Sequence, residues 1–301
     1  MDNLERLWQD LEGMFPGRGR CNEPLAAHTT LRLGGPADIW FPARSVDELA
    51  WLAGQAQIHQ VKLFMLGGGA NLLISDNGIR GLVVENRANA VQFLSERVVV
   101  ESGVVIPRLT KQCAQRGLSG LEWAVGIPGT IGGAVVNNAG AYGHSIAEQL
   151  IQAELLDQDG NRIWRPAEWF EYRYRHSRLK QTQGGRLIVL QAELALTPTP
   201  KAEIEARMQA FNERRKATQP PGATIGSMFK NPPGDYAGRL IEAVGLKGYR
   251  LNQAQISPIH ANFFINLGHA KAGDVMALIE IARERVAEQF GIPLELEIEI
   301  V

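Results

Sequence analysis

The sequence has little cysteine and no clustered histidine. Cys21 and Cys113 are the only two thiols in 301 residues, and two thiols cannot form a disulfide framework or a cysteine-rich metal site. The six histidines show no HExxH or other paired-ligand spacing, so His176 and His260 are expected to be structural. We therefore expect no metal site, and a reducing cytoplasm as the compartment.

The chain also lacks an excess of charge and a long apolar run. Lys and Arg number 31 and Asp and Glu 32, which gives a net charge of -1 and no general attraction to nucleic acid or an anionic membrane. No apolar run approaches the ~18 residues of a membrane span, and the charged N-terminal segment lacks the apolar stretch of a secretory signal. Neither nucleic acid nor membrane is therefore expected as a partner.

Glycine is the residue present in excess. It accounts for 32 of 301 residues, and eight of the 32 lie between Gly117 and Gly143. The length suggests about two domains at ~150 residues each. Helical and strand periods are mixed along the chain: helices are predicted over 201–216 and 272–290, and alternation of apolar residues with glutamate predicts a terminal strand over 294–300. The predicted fold class is α+β.

Two glycine-rich segments favour the approach of an anion or a large flat ligand. LGGGANLL (66–73) follows a predicted strand and brings bare N–H groups close to an anion, although a plain tight turn is an equal alternative. GLEWAVGIPGTIGGAVVNNAGAYG (120–143) has no long side chain in the ten residues from Gly126. Thr130 and the amides near Gly132 could bind a pyrophosphate there. A structural crossover loop is the alternative.

The segment YRYRHSRLK (172–180) concentrates positive charge. Tyr174, Arg175 and Ser177 could face one cavity, whereas a solvated basic edge is the more ordinary outcome of such a run. In a strand, Arg173 and Arg175 would lie on the same face, so spacing alone does not choose between them.

The segment TIGSMFKNP (224–232) groups Ser227, Lys230 and Asn231 near Gly226. No GxSxG elbow is present, which disfavours a hydrolase nucleophile. The alternative is a helix-entry turn capped by Ser227. The three glutamates of the terminal strand would ordinarily be a solvated face.

Taken together, these motifs resemble those of the UDP-N-acetylenolpyruvoylglucosamine reductases, flavoenzymes of bacterial peptidoglycan precursor synthesis. The resemblance also rests on HTTLRLGGPAD from His28 and AQISPIHANFFIN from Ala254, and it runs from about Asn22 to the C-terminus. The short link from YRYRHSRLK to a predicted strand at Arg186 is similar to the shorter, second subtype of the family. That subtype lacks an inserted segment that covers the substrate.

The resemblance implies a fold and a reaction. It implies non-covalent FAD, NADPH as co-substrate, and reduction of UDP-N-acetyl-3-O-(1-carboxyvinyl)glucosamine to UDP-N-acetylmuramate. It further implies a p-cresol methylhydroxylase-type FAD-binding fold of two subdomains, and an α+β substrate-binding domain. The expected bounds are 1–86 joined by the strand 294–301, 87–198, and 199–293. A monomer is expected.

The resemblance also implies site residues. Arg175 would bind the substrate carboxylate, Glu297 would donate a hydrogen bond to it, and Ser227 would protonate C2. The register of the terminal strand leaves Glu295 and Glu299 open as alternatives to Glu297. The residues expected to bind FAD are Gly67, Gly68, Gly69, Ala70, Asn71, Leu72, Gly126, Pro128, Gly129, Thr130, Gly132, Gly133, Asn137, Asn138, Ala139 and Gly140. Those expected to bind the substrate are Tyr174, Arg214, Lys230 and Asn231.

Several positions leave questions open. For Arg214 and Arg215, a charge role at a helix end is as plausible as contact with the UDP diphosphate. Thr224-Ile225 stands where the family usually has Ser-Ala, Asn252-Gln253 where a glycine pair is common, and Leu296 where a proline is frequent.

Two rival functions are kept. One is an FAD oxidase of the same cofactor-binding superfamily, acting on an alcohol or a sugar. The other is a non-catalytic nucleotide-binding homologue. The segments AQISPIHANFFIN and GSMFKNP argue against the first, and the joint presence of Arg175, Ser227 and Glu297 argues against the second.

Overall fold

The computed structural model describes residues 2–180 and 187–301. Over these ranges the chain forms seven α-helices and eighteen β-strands, many of them only two residues long, so the predicted α+β class is confirmed. The predicted strand start at Arg186 and the short link before it lie outside the described residues.

The helices begin and end where local side chains satisfy the backbone. In the first, the carboxylate of Asp2 accepts the N–H of Glu5 and the carboxylate of Glu5 accepts the N–H of Asp2. The hydroxyl of Ser45 caps the second helix by accepting the N–H of Glu48, and Gly291 ends the last helix in a left-handed conformation. The helices are α1 (Asn3–Met14), α2 (Val46–Ile58), α3 (Ile106–Gln115), α4 (Ile131–Asn137), α5 (Lys201–Thr218), α6 (Ala237–Ala243) and α7 (Ala272–Phe290).

The strands are short and lie in several small sheets. They are β1 (Arg20–Pro24), β2 (Pro36–Ala43), β3 (Leu63–Leu66), β4 (Leu72–Leu73), β5 (Ile79–Asn86), β6 (Val91–Leu94), β7 (Arg97–Glu101), β8 (Leu118–Ser119), β9 (Gly140–Ala141), β10 (His144–Ser145), β11 (Leu150–Leu156), β12 (Arg162–Pro166), β13 (Ile188–Ala195), β14 (Thr197–Pro198), β15 (Arg250–Leu251), β16 (Ala254–Ile256), β17 (Phe264–Asn266) and β18 (Glu299–Ile300).

Two larger sheets and one smaller sheet organise these strands. A four-stranded sheet has the order β1-β2-β5-β3, in which β3 and β5 are parallel. A five-stranded antiparallel sheet has the order β12-β11-β13-β7-β6. A three-stranded antiparallel sheet joins β15, β16 and β17, and the terminal strand β18 pairs with β4 in parallel.

The chain forms two compact units. The first collects Met1–Cys21, Ile39–Gly68 and Gly81–Glu213, and the second collects Asn22–Asp38, Gly69–Arg80 and Arg214–Val301. Two apolar cores lie within the first unit, one built around Leu7, Phe41 and Leu190 and one around the five-stranded sheet and α4. A third core, which includes most of the buried face of α7, lies within the second unit. The three domain ranges expected from the sequence stay a prediction.

The C-terminal segment differs from the predicted long strand. Leu294 and Ile298 are buried as the alternation requires, but only Glu299–Ile300 is strand, and Ile300 is exposed. The reason is a change of partner: Leu296 bridges to Phe229, the chain bends, and β18 then pairs with β4. The expectation of one continuous carboxylate face is therefore wrong.

Both cysteines are free thiols. Cys21 is exposed, whereas burial raises the pKa of Cys113 to about 12 and keeps that thiol protonated. Among the residues that the structure describes, no three His, Cys, Asp or Glu side chains are grouped as metal ligands would be. No helix in the same ranges has the length and apolar character to cross a membrane.

Candidate functional site

In the first unit, the two glycine-rich segments lie directly against each other. A Cβ atom added at Gly68 would stand 2.9 Å from the Cα of Gly129, and one added at Gly67 would stand 2.8 Å from Oγ1 of Thr130. Any larger residue at Gly68 would have to push a backbone aside, because the opposing atom belongs to the main chain. Of the glycines predicted from sequence as cofactor-binding, Gly68 is thus required by this close approach of two backbones.

The start of α4 uses its own donors to hold this approach in place. The hydroxyl of Thr130 accepts the N–H of Gly133, and the N–H of Gly132 donates to the carbonyl of Ser102 at 2.8 Å. The N–H of Ile131 donates to Val104 at 3.0 Å. The N–H groups of Ile131 and Gly132 thus already have partners within the chain, and the expected pyrophosphate contact of Thr130 and the amides near Gly132 stays a prediction. The cofactor assignment of Thr130 and Gly132 rests on their backbone position.

The asparagine pair ends α4 and connects it to the basic segment. Asn138 is buried, adopts a left-handed conformation with φ of 47°, and donates from Nδ2 to the carbonyl of Arg173 at 2.9 Å. Asn137 donates to Gly133 at 3.0 Å and accepts from the ammonium of Lys180 at 3.0 Å. Their amides therefore fix the geometry of the loop, which the donor and acceptor inventory of asparagine permits.

The basic segment forms a tight turn rather than a strand. Arg173 and His176 exchange backbone hydrogen bonds of 3.1 Å in both directions, and this places Tyr174 and Arg175 at the tip. Arg175 has a φ of 52°, which is the left-handed conformation that the third position of such a turn requires. Because strand alternation does not apply, Arg173 and Arg175 are not equivalent: Arg173 is exposed and Arg175 is half-buried.

Side chains in and beside this turn bind α4 and the loop that follows it. Nη2 of Arg175 donates to the carbonyl of Gly140 at 2.6 Å. The hydroxyl of Tyr172 donates to Val135 at 2.9 Å, and the hydroxyl of the fully buried Ser177 donates to Val136 at 2.5 Å. Burial raises the pKa of Tyr172, so this phenol stays a donor throughout the physiological range. Tyr174 is 53% exposed, and the Arg175 guanidinium lies 5.1 Å from its ring centre.

In the second unit, Ser227 lies in an extended segment and not at a helix start. Its backbone bridges to Phe263, so the alternative of a helix cap is wrong; the nearest following helix, α6, begins ten residues later at Ala237. Gly226 has a φ of 83°, as the sequence suggests, and open space lies where its Cβ would be. The glycine thus allows the turn from which the Ser227 hydroxyl projects.

Glu297 is held next to Ser227 by the backbone. The N–H of Glu297 donates to the carbonyl of Met228 at 2.9 Å, and the N–H of Lys230 donates to the carbonyl of Glu295 at 2.8 Å. Nδ2 of Asn71, a residue predicted to bind the cofactor, donates to the carbonyl of Glu297 at 3.3 Å. The second unit therefore brings two of the three predicted catalytic residues together.

The three glutamates of the C-terminal segment have different surroundings. The side chain of Glu295 is 74% exposed and pairs with the ammonium of Lys230 at 3.4 Å. Glu299 is exposed, whereas Glu297 is half-buried at the bend. Among the three, Glu297 is thus the carboxyl withdrawn from solvent beside the Ser227 segment.

A cavity of about 410 Å³ opens beside Ser227. It is lined from α6 by Gly238, Arg239 and Glu242, and from the loop before β17 by residues 259–262. The Arg239 guanidinium forms a two-point ion pair with Asp235, which holds the pKa of that carboxyl at about 2. Two exposed apolar side chains, Tyr236 and Ile259, also line the cavity. A polar opening with apolar walls suits a nucleotide-linked sugar.

The predicted substrate residues are placed differently. Asn231 lines the cavity, but its Oδ1 accepts the N–H of Ala237 at 3.1 Å and so also fixes the start of α6. Lys230 is part of the ion pair with Glu295. Arg214 is an exposed residue of α5, and Arg215 is half-buried.

Two polar residues of the cavity wall were missed as site residues. Asn262 is 3% exposed and makes two hydrogen bonds with the backbone of Phe229. His260 accepts the N–H of Asn262 on Nδ1 at 3.2 Å. The available signal was the asparagine at the head of the apolar run NFFI, because a buried polar side chain needs a partner.

The comparisons with known proteins agree with this geometry. Residues 217–301 match the family model of the C-terminal domain of UDP-N-acetylenolpyruvoylglucosamine reductase, and residues 37–164 match an FAD binding domain. A UDP-N-acetylenolpyruvoylglucosamine reductase of Chloroflexus aggregans is 44% identical over 94% of this chain and 97% of its own length. That of Bacillus subtilis is 40% identical over 99% of both chains.

The chain belongs to the UDP-N-acetylenolpyruvoylglucosamine reductase family. A crystal structure of the reductase from Thermus caldophilus is similar with a TM-score of 0.81 and 38% identity, covering 94% of this chain and 98% of that one. A berberine bridge enzyme variant matches at a TM-score of 0.50 and 16% identity, over 65% of this chain and 44% of its own, and so shows the fold alone. The predicted family, FAD-binding fold and enzymatic function are therefore confirmed, and the oxidase alternative is not favoured.

The chain is thus an FAD-binding oxidoreductase that reduces the UDP-linked enolpyruvyl sugar, as its family does. One structural observation fits a bound flavin nucleotide. Around Gly67, Gly68 and Gly129 the two glycine-rich segments lie so close together that there is no room for side chains. The individual cofactor and substrate residues stay predictions.

We predict that Gly68→Ala weakens FAD binding by about tenfold or more, because overpacking against a backbone typically costs about 1–3 kcal/mol. The added Cβ would lie 2.9 Å from the Cα of Gly129. Flavin absorbance per purified protein and fluorescence titration of the apoprotein measure the effect. Gly54→Ala in α2 is the control, because nothing lies within 4 Å of its Cβ. Equal flavin affinity in both variants would contradict the prediction.

We predict that His260 makes stability fall with acid pH. Burial is the largest effect and lowers the pKa of His260 below its ordinary 6.5; a backbone hydrogen bond opposes it, and smaller effects of Lys247 (lowering) and Glu242 (raising) follow. The unfolded chain therefore takes up this proton first, so stabilisation present above pH 6.5 is lost as the pH falls below it.

Urea unfolding at several pH values between about 7.5 and about 5, a range that brackets the ordinary pKa of histidine, tests the prediction. The parent protein should lose stability more steeply than His260→Gln. His269→Gln, at an exposed histidine, should follow the parent. Parallel curves for the parent and His260→Gln would show that the prediction is wrong.

Proposed function

We propose that Arg175, Ser227 and Glu297 carry the reduction of the enolpyruvyl ether to the lactyl ether. The observation that supports this most is the bond between the N–H of Glu297 and the carbonyl of Met228, because it holds a half-buried carboxyl beside the serine in the wall of a cavity. A proton donor and an acid side by side suit hydride addition to an enol ether, since that addition leaves charge to be neutralised.

FAD, reduced by NADPH, supplies the hydride for C3 of the enol ether when it is bound. The residues that would bind it are the glycines around Gly68 and Gly129 together with α4 and the residues that follow it to Gly140. No long side chain lies in this stretch, so the backbone can approach a flat ring or a diphosphate closely.

Arg175 is proposed to bind the substrate carboxylate. Its Nη2 donates to Gly140, which fixes one side of the guanidinium and leaves the planar group oriented. A guanidinium stays charged at every relevant pH, and it can donate two parallel hydrogen bonds to a carboxylate. Such a bond strengthens as negative charge develops towards the enolate-like intermediate, which lowers the barrier.

Ser227 is proposed to protonate C2. A neutral hydroxyl is a weak acid, but a carbanion-like carbon is a strong base, so the transfer is downhill once that charge has formed. The serine lies three residues before Lys230, whose ammonium is held by Glu295 at 3.4 Å. That cation would ease the alkoxide left on the serine.

Glu297 is proposed to donate a hydrogen bond from its protonated form to the substrate carboxylate. The choice of Glu297 over Glu295 and Glu299 is supported by exposure, because the other two side chains are open to solvent. Glu295 is in addition engaged with Lys230.

The remaining expectations complete the proposal. Tyr174, Arg214, Lys230 and Asn231 are proposed to contact the substrate. The enzyme is proposed to act as a monomer in the cytoplasm, with neither nucleic acid nor membrane as a partner. The ranges 1–86 with 294–301, 87–198 and 199–293 are proposed as its domains.

We predict that Ser227→Ala retains FAD and its reduction by NADPH but loses product formation by about 100-fold or more, the usual contribution of a positioned acid. Anaerobic rapid mixing separates the two half-reactions by flavin absorbance. The control is Thr224→Val, which removes another hydroxyl from the same segment, one that accepts the N–H of Gly226. Normal reoxidation by the enolpyruvyl substrate in Ser227→Ala would remove this serine from the mechanism.

We predict that Arg175→Lys loses most turnover, about 100-fold, because a point charge cannot replace a two-point donor. Arg173→Lys at the exposed position of the same turn should stay close to the parent protein. Steady-state turnover and substrate affinity of both variants measure the difference. The opposite ranking would assign the carboxylate contact to Arg173.

A further inference from the structure

The side chain of Asn262 pairs with the backbone of Phe229, two residues after Ser227, as a neighbouring strand would. The N–H of Phe229 donates to Oδ1 of Asn262 at 2.9 Å, and Nδ2 of Asn262 donates to the carbonyl of Phe229 at 2.8 Å. This reciprocal pair reproduces with a side-chain amide what a neighbouring strand does with its main chain. It occurs where regular pairing is not available, because β17 begins only at Phe264.

The main chain of Asn262 also bonds Met228, the residue before Phe229. The N–H of Met228 donates to the main-chain carbonyl of Asn262 at 2.8 Å, and the carbonyl of Met228 accepts the N–H of Glu297 at 2.9 Å. Asn262 thus satisfies three of the four backbone groups of Met228 and Phe229. The fourth belongs to Glu297.

The orientation of Asn262 is itself fixed. Its N–H donates to Nδ1 of His260 at 3.2 Å, and the following residue, Phe263, bridges to Ser227. Asn262 is 3% exposed and Phe229 is fully buried, so water does not replace these bonds. A buried amide whose oxygen and nitrogen both have partners has one low-energy orientation.

We infer that Asn262 is a positioning residue for the proton transfer. It fixes the backbone between Ser227 and Glu297, and therefore the distance at which the serine hydroxyl and the carboxyl meet the substrate. This inference rests on the proposed roles of Ser227 and Glu297. Misplacing a reacting group by about 1 Å can cost about 100-fold in rate, so the rigidity of this segment has a direct kinetic value.

The test is Asn262→Asp, with Asn266→Asp as a matched control. Both asparagines are buried in the second unit, and both donate from Nδ2 to a main-chain carbonyl, Asn266 to that of Leu31 at 3.0 Å. Each substitution therefore sets a carboxyl oxygen against a carbonyl oxygen in a similar setting. Only the first does so in the segment that carries Ser227.

We expect Asn262→Asp to slow reoxidation of the reduced flavin by the enolpyruvyl substrate by about tenfold or more relative to Asn266→Asp. Reduction by NADPH should be the same in both. The solvent deuterium isotope effect on reoxidation should rise in Asn262→Asp alone, because proton transfer becomes more rate-limiting. Hydrogen exchange of the Met228 and Phe229 amides should accelerate in the same variant, a readout independent of turnover.

Three results would overturn the inference. One is equal slowing in the two variants, which would indicate general destabilisation. Another is faster amide exchange in Asn262→Asp with unchanged reoxidation, and the third is equal loss in both half-reactions. If the aspartate variants do not fold, Asn262→Ser and Asn266→Ser remove the donor without adding charge and are judged by the same criteria. Normal reoxidation in Ser227→Ala would instead defeat the proposed function itself.

Discussion

The hydrogen bond from the N–H of Glu297 to the carbonyl of Met228 is the contact on which the proposed catalytic geometry of the second unit depends. It joins the last residues of the chain to a segment about seventy positions earlier. Because it lies on the main chain, it fixes where both side chains start without using their chemistry. This bond involves neither the serine hydroxyl nor the carboxyl of Glu297, and it fixes the backbone that carries them.

Asparagine side-chain amides bond the main chain at irregular segments near the proposed site residues. Asn262 pairs with Phe229, Asn138 with the turn that carries Arg175, and Asn266 with the segment at Leu31. In each case the amide bonds a main-chain group that lies outside the named strands. Regular sheet would satisfy the same groups, but it would also flatten the loops that present Arg175 and Ser227.

Features of the fold and the site that depend on residues close in sequence could be predicted, whereas those that depend on distant residues could not. The helix caps at Ser45 and Gly291 and the class of the fold follow from local sequence patterns. The positive φ of Gly226 before Ser227 also follows from local sequence, because glycine adopts such a conformation without strain. The bend at Glu297 could not be predicted, because alternation in LELEIEI says which residues are apolar but not that the partner changes from Phe229 to β4. Likewise, the basic segment satisfies strand spacing, and only the exchange of bonds between Arg173 and His176 makes it a turn.

The left-handed conformation of Arg175, in the turn between Arg173 and His176, bears on the proposed role of this residue. A residue other than glycine in the left-handed region costs on the order of 1 kcal/mol, and glycine or asparagine would remove that cost. The strain persists because the turn is fixed from several sides: Asn138 donates to the carbonyl of Arg173, and Tyr172 and Ser177 donate to carbonyls within α4. A residue of lower strain would lack the guanidinium. An arginine at a position where backbone geometry alone favours glycine supports the proposed role of the Arg175 side chain.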